Sequence, residues 1–160
     1  MNNFIDLWRQ KRGSLKPMKR ESLRRIKKAL TPDAAYELHQ EAFQNINCLE
    51  CANCCSSIPP IITKSDVTRI SKHLGIKESE FMNDYVVEDD DGDMVFNASP
   101  CRFLLSDNTC LIYEKRPKAC RRYPHTEGDE LVKNINLLPK NAPYCPAAYF
   151  VLQKLEQSLI

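Results

Sequence analysis

Several features that would define a function class are absent from this sequence. No apolar run approaches the roughly 20 residues that cross a bilayer, so a transmembrane helix is excluded. The opening residues, MNNFIDLWRQKRG, lack the basic start and the following apolar stretch of a secretory signal peptide. We therefore expect a cytoplasmic protein.

Residue patterns that carry common enzyme chemistry are also absent. No Ser/His/Asp arrangement, phosphate-binding loop, HExxH motif or glycine loop for S-adenosylmethionine can be read from the chain. His39 and His73 fall in predicted helices remote from cysteines, and His125 follows a Tyr-Pro pair. We expect the first two to be ordinary surface or core residues, and His125 is left as a minor candidate for a place near a metal.

Charge is unevenly distributed along the chain, although the formal net charge is only +2. Residues 1–30 hold ten Lys or Arg against only Asp6 and Glu21, a local balance of about +8. Such a segment is most often a solvated helix face. It also fits binding to nucleic acid, to an anionic membrane surface or to the mildly acidic remainder of the same chain.

The spacing of apolar residues predicts helices in the first part of the chain. Basic amphipathic helices are predicted over residues 3–12 and 17–30, the second opening with a proline. Thr31 is the predicted N-cap of a third helix, which ends just before Cys48. The cysteine-rich segment is thus expected to begin where a helix ends.

The later segments predict further short elements. A capping box at Thr63 and Asp66 starts a helix that closes at Gly75, and another helix is predicted around residues 78–85. The stretch VVEDDDGDMVF has two β-prone runs around a turn, which indicates a hairpin. The fold class is therefore predicted to be mainly α, with small irregular and β elements.

The predicted domain organisation has two parts. Residues 1–47 form a basic helical arm, and residues 48–160 form a compact cysteine-rich metal-binding domain. The tail AAYFVLQKLEQSLI carries an apolar stripe and is expected to pack as the terminal helix of that domain.

The most informative feature is the segment CLECANCC at residues 48–55, which contains four of the eight cysteines. Disulfides are disfavoured in the cytoplasm, and cysteines scattered through a core would not cluster in this way. Crowded thiolates repel one another unless a cation offsets their charge. The clustering therefore favours metal ligation over disulfides or inert thiols.

The spacing of the cysteines leaves both zinc and iron open. Structural zinc is usually held by C-x2-C pairs from two segments. Cys48, Cys51 and Cys54 instead form the C-x2-C-x2-C run with which bacterial ferredoxins bind an iron–sulfur cluster, and Cys145 lies in a distant Cys-Pro pair. The match is partial, because the fourth ferredoxin cysteine lies three residues on, whereas Cys55 follows directly.

The adjacent cysteines, Cys54 and Cys55, bear on the number of metal sites. Neighbouring side chains on extended backbone point to opposite sides, so one of the two thiols is expected to face away from the ion that the other binds. Eight cysteines suffice for two four-thiolate sites. A single site with the remaining cysteines buried also fits.

Four spaced elements, CLECANCC, PCRFL, CLIYEKRPKACRRYP and a late CP, together resemble the YkgJ-type cysteine cluster proteins, the CxxCxxCC family. The name of that family states a zinc- or iron-chelating capacity. The resemblance covers residues 48 to about 146. It marks Tyr113, Arg116, Pro117 and Arg121 as motif positions around the site. It also implies a chelating set of Cys48, Cys51, Cys54, Cys55, Cys101, Cys110, Cys120 and Cys145.

The chain departs from the family pattern at two positions. Many relatives have Gly where this chain has Ala52, and Phe where it has Tyr123. Neither change removes a ligand, but the first alters the backbone donors offered to a sulfur. Four thiolates on Zn2+ leave a net charge of about −2, so Arg116 and Arg121 are candidates to stabilise the site by charge-assisted hydrogen bonds.

Three functions fit these observations. The first is an iron or iron–sulfur protein in redox chemistry or electron transfer, with a redox partner. The second is a zinc-stabilised module whose basic arm binds a protein or nucleic acid, although no aromatic residue lies among the charges of residues 16–28. The third and least favoured function is that of a protein methyltransferase, by analogy with flagellin lysine methylases, which contain a similar cluster. This chain is too short for their additional regions.

Overall fold

The computed structural model describes residues 3–159. These residues are 61% helical and contain one small antiparallel sheet, which confirms the predicted fold class. In residues 3–159, every helix is too short or too polar to cross a membrane. The helices are, in chain order, α1 (Phe4–Lys11), α2 (Arg20–Ala29), α3 (Pro32–Asn45), α4 (Cys48–Cys51), α5 (Asn53–Ser57), α6 (Lys64–Leu74), α7 (Glu78–Tyr85), α8 (Lys118–Arg122), α9 (Gly128–Lys133), α10 (Leu138–Asn141) and α11 (Pro146–Gln157).

The chain divides into two compact units. Unit 1 contains the described parts of residues 1–51 and 124–160, and unit 2 contains residues 52–123. Residues 3–159 also contain three 3-10 turns: Arg12–Ser14 and Ile135–Leu137 in unit 1, and Tyr113–Lys115 in unit 2. The strands β1 (Val86–Glu88) and β2 (Met94–Phe96) lie in unit 2.

The first helix belongs to the core of unit 1. The Asn3 side chain caps α1 by accepting the N–H of Ile5, and Ile5 and Trp8 are both buried. The indole Nε1 of Trp8 donates to the carbonyl oxygen of Ala142 at 2.8 Å. The ring of Phe4, also on α1, packs edge-on against that of Phe150 with 5.3 Å between the ring centroids. The basic start of the chain is therefore anchored by aromatic side chains.

The second helix begins later than its sequence pattern predicts. Pro17 was expected in its first turn, but α2 starts at Arg20, with Lys19 as an N-cap that makes no side-chain hydrogen bond. Only Ile26 of α2 is buried. The third helix starts as predicted, because the hydroxyl of Thr31 accepts the N–H of Ala34.

The remaining core of unit 1 forms where α3 packs against α9 and α11. Ala35 and Ala42 of α3 are fully buried, and such small side chains allow helices to approach closely. At the edge of this contact, Lys154 Nζ lies 2.6 Å from Glu41 Oε1. Helix α11 confirms the predicted terminal helix.

Unit 2 is built on two helices and a hairpin, all of which the sequence predicted. Thr63 and Asp66 form a complete capping box at the start of α6, and Gly75 ends that helix with a φ of 71°. The hairpin register pairs Val86 with Phe96. The apolar faces meet in one core of Ile62, Val67, Ile70, Phe81, Val86, Phe96, Phe103 and Ile112.

Candidate metal centre

The CxxCxxCC segment is folded as two short helices with a sharp turn between them. Cys48 and Cys51 lie on α4 in unit 1, whereas Cys54 and Cys55 lie on α5 in unit 2. Ala52 makes the turn in the left-handed region, with φ 47° and ψ 18°. Glycine adopts this conformation without a steric penalty, whereas the side chain of Ala52 carries one.

The helical conformation of the adjacent cysteines corrects a premise of the sequence analysis. Cys54 and Cys55 were treated as extended residues, whose side chains would point in opposite directions. On α5 they are consecutive helical residues, so their side chains diverge by about 100° instead. The Cys54 thiol hydrogen-bonds to Cys55 and lowers the pKa of Cys55 to about 7, against the opposing effect of burial.

Backbone contacts bring two later segments of unit 2, around Cys101 and Cys110, towards this pair. The N–H of Cys101 donates to the carbonyl oxygen of Cys55 at 2.8 Å. A β-bridge then joins Leu104 to Cys110, and the N–H of Leu104 donates to the Cys101 carbonyl at 3.1 Å. Cys55, Cys101 and Cys110 are thus held by hydrogen bonds of the main chain, which do not depend on their side chains.

The sulfurs of Cys101 and Cys110 accept hydrogen bonds from the backbone. Cys101 accepts from the N–H of Phe103, and Cys110 accepts from that of Ile112. Burial nevertheless raises the pKa of both thiols. Such N–H donors stabilise a thiolate once a cation has displaced its proton.

Among the thiols described in unit 2, Cys120 has the most strongly raised pKa. It lies in the middle of α8 and is half-buried. Burial raises the pKa of Cys120 to about 12, and repulsion from Cys55, Cys101 and Cys110 adds to the rise. Cys55, Cys101 and Cys110 therefore lie near enough to Cys120 for their charges to interact with it, and we call these four thiols the unit-2 cysteine set.

A second group of thiols lies in unit 1. Cys145 is buried at the N-cap of α11, where its sulfur accepts from the N–H groups of Ala147 and Ala148. Burial raises the pKa of Cys145 to about 12, and the nearby Cys48 and Cys51 thiols add to the rise. We call Cys48, Cys51 and Cys145 the unit-1 cysteine set.

The motif arginines and the tyrosine differ in their surroundings. The guanidinium of Arg116 lies 3.8 Å from the ring centroid of Tyr113 and donates to the Tyr113 carbonyl oxygen at 2.8 Å. Burial raises the pKa of Cys110 and Cys120, and the charge of Arg116 opposes both rises. Arg121 follows Cys120 on α8, and its side chain is exposed.

The histidines make other contacts. His125 Nδ1 lies 2.8 Å from Glu130 Oε1, and His39 Nδ1 lies 2.9 Å from the hydroxyl of Thr126, all in unit 1. His73 lies in the last turn of α6. The hydrogen bonds described for His39 and His125 are therefore with oxygen, and the grouped soft donors are all cysteines.

The donor set fits a thiophilic metal. Within residues 3–159 no disulfide joins any cysteine. No three His, Cys, Asp or Glu side chains in that range are already gathered closely enough to hold an ion. Binding would therefore draw thiols of a set together and release their protons. Thiolates crowded beside N–H donors and an arginine suit zinc or iron rather than calcium or magnesium.

Two residues that support the unit-2 cysteine set were not recognised in the sequence. Asp66 and Arg69, one turn apart on α6, bond to the backbone that leads to Cys120. The capping box signals Asp66, but only as the cap of its own helix. Its second contact, with Lys118, joins residues 52 positions apart, which no local pattern reveals.

Comparison with known proteins gives one match. The family model CxxCxxCC, described as "Putative zinc- or iron-chelating domain", matches residues 47–146. No curated protein and no solved structure matches the chain. The matched range contains all eight cysteines.

Proposed function

Because this chain belongs to the CxxCxxCC family of zinc- or iron-chelating domains, we propose that its cysteines bind iron, alone or as an iron–sulfur cluster, for redox chemistry or electron transfer. The main-chain bonds that hold Cys55, Cys101 and Cys110 together in unit 2, with Cys120 near them, are the observation that carries this proposal. The bound iron would supply a one-electron redox couple. We also propose the cytoplasm as the compartment, because reducing conditions keep thiols available as ligands.

We assign the cysteines to two centres. The unit-2 centre takes Cys55, Cys101, Cys110 and Cys120, which is a complete four-thiolate set within one unit. The unit-1 centre takes Cys48, Cys51 and Cys145. Cys54, the eighth cysteine of the chelating set, is the hydrogen-bond partner of Cys55. The backbone bonds among Cys55, Cys101 and Leu104 support the first grouping, and the burial of Cys145 beside Cys48 and Cys51 supports the second.

The other residues of the chain adjust the charge at the sulfurs. N–H groups directed at Cys101, Cys110 and Cys145 stabilise their thiolates. The Arg116 cation favours the ionised forms of Cys110 and Cys120. Hydrogen bonds to sulfur and nearby charge are known to set the potential of thiolate-bound iron, so we propose that these groups tune it. Tyr113 holds the Arg116 side chain, and Arg121 contributes positive charge on α8.

The proposal is tested by purifying the full chain without oxygen and measuring iron, zinc, acid-labile sulfide and the visible spectrum. We expect a coloured protein with stoichiometric iron. A colourless sample with stoichiometric zinc would overturn the redox proposal. Loss of the same metal from Cys120→Ser and Cys145→Ser would instead contradict the assignment of two centres, because each variant is expected to lose only its own centre.

A second candidate function is a zinc-stabilised interaction module, and the surface of α2 favours it. None of its five basic side chains forms an ion pair with a described residue: Arg20, Arg24, Arg25, Lys27 and Lys28. Beside them, unit 1 has a groove of about 620 Å³ with an apolar floor at Leu23, Ile135 and Pro139. Unpaired cations beside a groove suit an anionic partner such as nucleic acid or an acidic protein segment.

This candidate is tested by titrating a labelled RNA strand with the protein at several salt concentrations. Binding through phosphates gives a slope of log affinity against log salt of about −0.7 per contact for a single strand. Arg24→Ala with Lys27→Ala should make the slope less steep by about 1.4. The control, Lys72→Ala with Lys77→Ala in unit 2, should leave it unchanged. Equal slopes for both double variants would exclude the α2 surface.

A further inference from the structure

The carboxylate of Asp66 is fully buried in unit 2, and all of its acceptor positions are used. One oxygen, Oδ2, accepts from the N–H of Thr63 at 2.9 Å and from its hydroxyl at 2.7 Å. The other oxygen, Oδ1, accepts from Arg69 Nη2 and from the N–H of Lys118 at 3.0 Å. A buried carboxylate is tolerated when it is hydrogen-bonded in this way.

Arg69 extends the contact along the same backbone. Its Nη2 also donates to the carbonyl oxygen of Arg116 at 2.9 Å, and its Nε donates to that of Lys115 at 3.3 Å. Asp66 and Arg69 together therefore bind the segment that enters α8 at three backbone groups, in Lys115, Arg116 and Lys118. We call this pair the α6 clamp.

The backbone from Lys115 into α8 needs these hydrogen bonds to keep its conformation. Helix α8 has five residues, which is too short to be stable alone, and its N-cap, Pro117, makes no side-chain hydrogen bond. The N–H of Lys118 is one of the donors that a helix start leaves unsatisfied, and Asp66 satisfies it. Cys120 follows two residues later on the same helix.

From these contacts we propose that Asp66 and Arg69 are positioning residues for the unit-2 centre. The α6 clamp fixes the backbone between Arg116 and Cys120, so that the Cys120 thiol and the Arg116 cation face Cys110 before metal arrives. The inference rests on the proposed metal-binding function. It adds residues that bind no metal themselves and act through the ligand that they orient.

The experiment uses the full-length reduced chain without metal, titrated with Co2+ in the absence of oxygen. Thiolate-to-cobalt charge-transfer absorption reports each bound centre, and Cys120→Ser and Cys145→Ser identify which centre gives which signal. The test variants are Asp66→Asn and Arg69→Lys. The matched control is Glu78→Gln, which changes an acidic residue in the first turn of α7 whose described contact is with Thr68.

We expect Asp66→Asn and Arg69→Lys to weaken Co2+ binding at the centre that contains Cys120 by about 10- to 100-fold, as loss of a residue that orients a ligand typically does. The centre that contains Cys145 should keep its affinity in both variants. Glu78→Gln should change neither centre. A selective loss of this kind separates positioning from general destabilisation, which the melting temperature of each metal-free variant reports independently.

Wild-type affinity at both centres in folded Asp66→Asn would overturn the inference, and so would equal weakening at both centres. If Asp66→Asn does not fold, folded Arg69→Lys decides by the same criterion, and failure of both variants to fold would assign the clamp to folding alone and overturn the proposal. A wild-type chain that gives no thiolate–cobalt signal would refute the proposed function instead.

Discussion

Replacement of Trp8 by phenylalanine tests whether the basic start of the chain is part of the unit-1 core. Trp8 is 1% exposed, and its Nε1 donates to the Ala142 carbonyl oxygen. Phenylalanine keeps an aromatic ring but removes this donor and part of the ring volume. The variant therefore leaves a buried carbonyl without its partner and a small void beside it.

The expected decrease in the free energy of unfolding follows from the lost hydrogen bond and the lost ring volume. A buried acceptor left unsatisfied costs about 1–3 kcal/mol. Incomplete filling of the vacated ring volume adds about 1 kcal/mol. We expect Trp8→Phe to lower the free energy of unfolding by about 2–4 kcal/mol, a large fraction of the roughly 5–15 kcal/mol that holds a domain folded.

Urea unfolding followed by far-ultraviolet circular dichroism measures this difference at equal metal content. Fluorescence does not serve, because Trp8 is the only tryptophan of the chain. The control is Tyr36→Phe, which removes the hydroxyl of a side chain that is 49% exposed, with an expected change within about 0.5 kcal/mol. If Trp8→Phe matched that control, the segment would be a solvated arm and the packing argument would be refuted.

Three further predictions concern the stability of unit 2. Burial opposes ionisation of Asp66, but its hydrogen bonds outweigh burial and hold its pKa below the ordinary 3.8. Its contribution to stability is therefore complete above about pH 4 and is lost as the pH falls through the lowered pKa, so Asp66→Asn should flatten that part of an acid-unfolding curve. Gly75→Ala should lower the free energy of unfolding in urea by about 1 kcal/mol, because the φ of 71° at Gly75 is unfavourable for alanine. Its control is Gly13→Ala, which should be neutral or stabilising. The added methyl group has open space at both positions. Ile70→Ala should cost about 2–5 kcal/mol by the same assay, since Ile70 is fully buried, and a loss below 1 kcal/mol would contradict the assigned core.

Elements with local signals were predicted well. The Thr31 cap, the Thr63–Asp66 capping box and the Gly75 end each depend on residues within one helical turn, and the structure has all three. The start of α2 was placed too early, because the proline at 17 permits a helix without supplying a cap. The helices α8, α9 and α10 were missed, because four to six residues carry too little periodicity to be recognised.

The candidate site was predicted in its composition but not in its arrangement. The eight cysteines were identified as the chelating set, and that set remains a proposal, as does the division at residue 47. The premise that Cys54 and Cys55 lie on extended backbone was wrong. The left-handed turn at Ala52 starts a helix there, which residue propensities do not indicate. The sequence identified Asp66 as part of the capping box of α6, but not as a residue that binds the backbone near Cys120.

The sequence by itself determined the donor chemistry, the family and the longer helices, because thiol clusters, motif spacing and capping residues act over short stretches of chain. Only the tertiary structure decided which thiols influence one another and which distant groups hold them. Trp8 meets Ala142 across 134 positions, and Asp66 meets Lys118 across 52. Such contacts arise when apolar faces pack, and packing places together residues whose local patterns carry no information about each other.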